Sequence, residues 1–122
     1  MVKSHARYSW RFGNQTVALK ENEIYYISSF RKAVSVYTAT GRYRISTSMK
    51  QEEERFFGKG FVRIHRSCLV NLEHVKEVEG IWIKLDDGRR LQASTRRKKK
   101  VAKAFGDYQQ NVSKRLLNSA NG

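Results

Sequence analysis

A chain of 122 residues with 25 Lys and Arg against 11 Asp and Glu carries a formal net charge of +14, a self-repulsion that calls for an outside polyanion. The 39% of hydrophobic residues can bury a core, which excludes a disordered basic tail. No apolar run nears the ~20 residues of a membrane span, MVKSHARYSW has no signal-peptide h-region, and the single Cys68 excludes an internal disulfide framework and fits a reducing cytoplasm.

The predicted elements are mostly β. Tyr8, Trp10 and Phe12 alternate with polar neighbours as a half-buried strand. Phe12-Gly13-Asn14 then turns into a short strand around Thr16–Leu19. Ile24–Ile27 reads as a more buried strand, and Ala33–Thr38 places Val34 and Val36 on one face. Thr40-Gly41 turns into Arg42–Ile45. A helix is predicted over Met49–Phe57: Ser46, Thr47 and Ser48 offer cap oxygens, Glu52–Glu54 suit the dipole, and Gly58 and Gly60 end it.

Phe61–His65 resumes period two, followed by a strand through Cys68–Val70 and a turn near Asn71–His74. A strand pair then places Ile81, Ile83 and Leu85 on one face, turning at Asp87-Gly88 into Arg89–Ala93. The last helix is predicted from Thr95 to Tyr108, with Ser94 or Thr95 as N-cap and Val101, Ala104, Phe105 and Tyr108 facing the sheet. The polar residues after it read as a frayed tail. The expected division is an extension over 1–7, a domain over 8–108 and a tail over 109–122.

Catalytic and metal chemistry have little behind them. Asp86 and Asp87 suit a turn better than an acid/base pair. His65, Cys68 and His74 lack the paired spacing of a metal site. Gly58 and Gly60 are not followed by the Lys-Ser or Lys-Thr of a phosphate-binding loop. No cofactor is expected. The densest positive run, RRLQASTRRKKK over Arg89–Lys100, holds no acid, and FVRIHRSCLVN over Phe61–Asn71 interleaves basic and apolar residues.

Phe-x-Arg-x-His-Arg-Ser followed by x-Leu-Val-Asn resembles the signature of the LytTR DNA-binding domain, the output module of bacterial response regulators of the LytR/AlgR type. Upstream, EIYYISSFRKAVSVYTATGRYRI is similar to the family's early strands. Downstream, GIWIKLDDGRRLQASTRRKKKVAKAF is similar to its closing hairpin and its Ser-x-Arg-x-x-Lys-Lys loop. The resemblance covers roughly residues 8–106. It implies a mostly β fold of short antiparallel sheets in an elongated arrangement with two short helices, which inserts loops into successive major grooves of double-stranded DNA.

By the resemblance, three loops meet the duplex: Arg31-Lys32, Arg66-Ser67 and Ser94–Lys99. Arg31, Lys32, Arg66 and Arg96 are the expected base contacts, because Arg can donate twice to guanine O6 and N7. Ser67, Ser94, Arg97 and Lys99 are the expected phosphate contacts, with Ser94 also capping the last helix. His65 reads as structural and Cys68 as a small core residue, with redox sensing as a minor alternative. The first helix carries Gln51-Glu52-Glu53 where family members usually place an apolar residue, so looser packing is expected, away from the DNA surface.

The expected role is sequence-specific binding at promoter direct repeats, monomeric in solution with pairing on DNA. The chain is then an excised output domain with a receiver or regulatory partner, or a single-domain regulator. Three alternatives stay open. One is a basic RNA-binding module that stacks bases on Tyr25, Tyr26, Phe30 and Tyr37. Another is a regulator acting by protein–protein contact. The last is membrane-surface attachment through the C-terminal helix, which is not the expected partner.

Overall fold

The computed structural model describes residues 6–121, with side chains described for 6–117. The N-terminal half holds β1 (Arg7–Phe12), β2 (Gln15–Lys20), β3 (Tyr26–Phe30), β4 (Ala33–Tyr37), β5 (Arg42–Ile45) and helix α1 (Met49–Arg55). It is followed by β6 (Phe61–His65), β7 (Cys68–Asn71), β8 (Val75–Glu79), β9 (Trp82–Leu85), β10 (Arg90–Gln92) and helix α2 (Lys98–Asn121). They form a β1–β2 hairpin, a central five-stranded antiparallel sheet ordered β5–β4–β3–β7–β6, and a three-stranded sheet ordered β10–β9–β8. The predicted mostly β class with short antiparallel sheets is the fold observed.

Period-two patterning gives the central sheet two different faces. Ile27 opposes Val36, and Val34 opposes Ile45. These four are buried in one cluster with Tyr8, Trp10, Met49, Phe56 and Leu69, beneath α1 and the β1–β2 hairpin. Val62, Ile64, Cys68 and Val70 belong to a second cluster with Ile83, Leu85 and Val101, beneath the three-stranded sheet and α2. Arg89 ties the small sheet to the central one. Its guanidinium donates to the Thr38 carbonyl at 2.9 Å and to Asp87 at 2.7 Å, and lies 4.8 Å from the Tyr25 ring centre.

The structure departs from the sequence expectations in four places. Ile24 is fully buried but lies outside β3, because the Asn71 amide donates to the carbonyls of Glu21 and Ile24 and holds that stretch as a turn. Two strands were expected after His74, but β8 adds a third; its charged VKEVE sequence hides the alternation. Helix α1 is not loosely packed. Glu52 is 2% exposed and accepts from the Trp10 indole at 2.6 Å and the Thr47 hydroxyl at 2.7 Å.

The fourth departure is α2, which begins at Lys98 rather than Thr95 and continues through 109–121 in place of a frayed tail. Ser94 lies three residues before the Arg97 cap position, with its N–H bonded to the Ile64 carbonyl at 2.9 Å, so it stands outside the helix it was expected to cap. Beyond Tyr108 the side chains described are mostly exposed. Residues such as Gln, Lys, Arg and Leu sustain the helix there by intrinsic preference, without a core to face.

Candidate nucleic-acid interface

The first basic loop is the two-residue turn joining β3 and β4. Arg31 and Lys32 have φ of 51° and 68°, the left-handed region that a tight twisted hairpin demands and that Gly or Asn fills most easily. Long cationic side chains there carry a backbone cost of about 1–3 kcal/mol each. Both are exposed, and the Arg31 guanidinium lies 5.3 Å from the ring centre of Phe30, itself 73% exposed. This tip presents two cations in place of the residues that would form the turn at lowest cost.

The second loop, Arg66-Ser67, is braced from several sides. The Ser67 N–H donates to His65 Nδ1 at 3.1 Å. The Ser67 carbonyl accepts from the Ser28 hydroxyl at 2.9 Å and the Ser29 N–H at 2.9 Å. Arg63 donates Nε–H to the His65 carbonyl at 3.2 Å and a second N–H to the Arg66 carbonyl. A 2.8 Å ion pair from Glu53 of α1 anchors that guanidinium in turn. The Arg66 side chain is left exposed on a fixed turn.

The third loop precedes α2. Ser94 is fastened to β6 through Ile64, Arg97 N–H closes a turn onto the Ser94 carbonyl at 3.0 Å, and Val101 N–H makes a helical bond to the Arg97 carbonyl at 2.9 Å. Arg96 and Lys99 are exposed, while Ser94 and Arg97 are half-buried. The His65 pKa is held below its ordinary 6.5, by burial first and then by the charges of Arg63, Arg97 and Arg66. Charges of both the second and the third loop thus act on the His65 ring.

These links order the loops along one end of the central sheet. The Arg31-Lys32 turn caps β3 and β4, the Arg66-Ser67 turn caps β7 and β6, and Ser94 follows β6 at the sheet margin. All eight residues named from the sequence fall on these loops or on the first turn of α2. None of Arg31, Lys32, Arg66, Arg96, Arg97 or Lys99 is paired with a carboxylate among the described residues. Sequence reasoning missed Arg63 and Glu53 as supports, since no local pattern announces a contact from a helix to a strand.

Elsewhere the titratable groups serve the fold. His74 stacks on Tyr25 with ring centres 3.8 Å apart and bonds Asp86 at 2.8 Å. Cys68 is 2% exposed, and burial pushes its thiol up to about 12. Among the described residues no group of three or more His, Cys, Asp or Glu could hold a metal ion. No described helix is long and apolar enough to cross a membrane.

The mostly β domain thus presents three cationic loops from one end of its central sheet. Residues 14–106 match the family model of the LytTr DNA-binding domain, and the chain belongs to that family. The transcriptional regulatory protein LytR of Staphylococcus aureus, in strains N315 and USA300, is 31% identical over 61 residues. That stretch is 50% of this chain and 25% of LytR, so the chain spans about a quarter of the relative it matches. The LytTr DNA-binding domain of a methyl-accepting/DNA response regulator from Bacillus cereus superposes with a TM-score of 0.73 at 18% identity. The match covers 84% of this chain and 99% of that one, and it shows the shared fold.

Proposed function

We propose that this domain binds double-stranded DNA in a sequence-dependent manner, as the DNA-contacting part of a cytoplasmic transcriptional regulator acting by binding rather than catalysis. The observation that carries the reading is the row of three unpaired cationic loops along one sheet end, within a family named for DNA binding. Arg66 and Arg96 are exposed on pinned turns and suit base edges, where a bidentate guanidinium discriminates by about 1–3 kcal/mol. Arg31 and Lys32 occupy a narrow tip that fits a groove. Ser67, Ser94, Arg97 and Lys99 suit phosphates.

Paired sites, such as promoter direct repeats, would take two copies of the domain, and any receiver or regulatory partner would set when they assemble. The RNA alternative is weakened because Tyr25, Tyr26 and Tyr37 are engaged with one another, with His74 and with Arg89, which leaves Phe30 as the one exposed ring of the four. The test is selection of bound duplexes from a random pool, followed by Arg66→Ala and Arg96→Ala. Each variant is expected to lose about 1–3 kcal/mol on the selected duplex and to relax preference at particular base pairs. Equal losses on selected and scrambled duplexes would demote the residue to a phosphate contact.

A further inference from the structure

We propose that the outer face of β3, β4 and β5 is a phosphate seat, in which Arg42 and Arg44 grip the DNA backbone bordering the groove entered by the Arg31-Lys32 turn. The proposal rests on the reading of the three loops as the DNA edge and extends that edge in the direction opposite to α2. The sheet order places β5 at the far end of the same row, beyond the β3–β4 tip.

Register defines the seat. Ser28 opposes Ser35, Ser35 opposes Arg44, and Tyr37 opposes Arg42, so all lie on one face. The reverse face holds the buried Ile27, Val34, Val36 and Ile45. The outer face is instead a groove of about 330 Å³, with the two serines between Phe30 and Tyr37 and the two arginines along the edge strand. Arg42 and Arg44 are exposed, and neither is paired with a carboxylate among the described residues. The Arg44 guanidinium rests 5.0 Å from the Phe12 ring centre, which limits its freedom without neutralising it.

Dimensions favour the duplex backbone as occupant. Arg44 is level with Ser35, two residues or about 7 Å behind Ala33 at the tip, whereas Arg42 is level with Tyr37, four residues or about 13 Å behind, and reaches the same level only through its extended side chain. The major groove is ~8.5 Å deep. A tip that reaches base edges therefore has the flanking phosphates level with Ser35 and Arg44. The Ser35 hydroxyl and two guanidiniums match phosphate oxygens, while the Ser28 hydroxyl is already given to the Ser67 carbonyl. An apolar peptide would find a floor of serines. A single-stranded base would find Tyr37 already stacked on Tyr26, their ring centres 4.3 Å apart.

The experiment compares wild type, Arg42→Gln/Arg44→Gln and Arg42→Lys/Arg44→Lys on a duplex selected by the wild-type protein, on its scrambled counterpart and on single-stranded RNA. For the Gln pair, the slope of log affinity against log salt is expected to shallow by about 2. Selected and scrambled duplexes should weaken alike, thermal melting should be unchanged, and the Lys pair should restore most of the slope. A wild-type slope in the Gln pair would overturn the seat, as would a loss confined to the RNA. If wild type shows no preference for the selected duplex, the loop reading itself fails, which is a separate result from an unchanged slope.

Discussion

Arg63 turns its guanidinium into the protein, bonding Glu53 and the carbonyls of His65 and Arg66. It supports the turn that presents Arg66 and is not placed as a DNA contact. Arg63→Gln is therefore expected to lower the ratio of selected to scrambled binding while leaving the salt slope unchanged, as measured by fluorescence anisotropy across a salt series. A shallower slope at constant ratio would make it a phosphate contact instead. Its charge was countable in the sequence, but its direction was not.

His65 gives a pH dependence with a definite sign. Its folded pKa lies below 6.5, so the unfolded chain binds a proton that the folded ring refuses. The associated stability is complete above about pH 6.5 and is lost as pH falls through the folded value. Denaturant midpoints should fall between neutral pH and about pH 5, and His65→Gln should reduce that fall. An identical fall in the variant would remove His65 as a source. Cys68, buried and held as a thiol, should leave DNA binding unchanged after mild peroxide treatment.

At the scale of elements, β1 and α1 explain one another. β1 lies before the family-matched segment, and its Trp10 donates to the buried Glu52 of α1. A buried carboxylate of α1 is thus satisfied from a strand that precedes the matched segment. Trp10→Phe keeps most of the ring but removes the hydrogen bond to Oε1 of a buried carboxylate, leaving it Thr47 and the longer Arg55 contact, so unfolding free energy should drop by about 1–3 kcal/mol. A change within ~0.5 kcal/mol, the range of featureless surface substitutions, would mean that Thr47 alone holds Glu52.

The strands that alternate cleanly were legible in the sequence, including β4, β5, β6 and β9, as were the Ser48-capped α1 and the Gly88 turn. What escaped has physical causes. Ile24 is buried without pairing in a strand, β8 is rich in charge, and in the outer part of α2 Val112 and Leu116 continue the apolar stripe only sparsely among polar residues. The three loops were legible through the family resemblance of the segments that carry them, and not from charge alone. Their bracing was not, because it runs through Glu53, Ser28 and Ile64, each distant in sequence from the loop it holds.

For the whole molecule, the +14 net charge divides into different tasks. Arg89 heads the densest basic run, yet it stitches two sheets together through Thr38, Asp87 and Tyr25. Lys103 pairs with Asp107, and Arg63 with Glu53. Among the described residues, the loop cations without a carboxylate partner lie along one end of the central sheet, and Arg44 and Arg42 of the β5 edge lie two and four residues back from that end. Under the proposed function, charge attracts and orients the duplex, while a few pinned arginines would read it.

The central claim is tested most directly by the affinity of the wild-type protein for a selected duplex and its scrambled counterpart over a salt series. With roughly six phosphates neutralised, both should fall with a log–log slope near −5, and the selected duplex should stay tighter by a ratio that Arg66→Ala reduces. Equal affinities for both duplexes at every salt concentration would contradict the account.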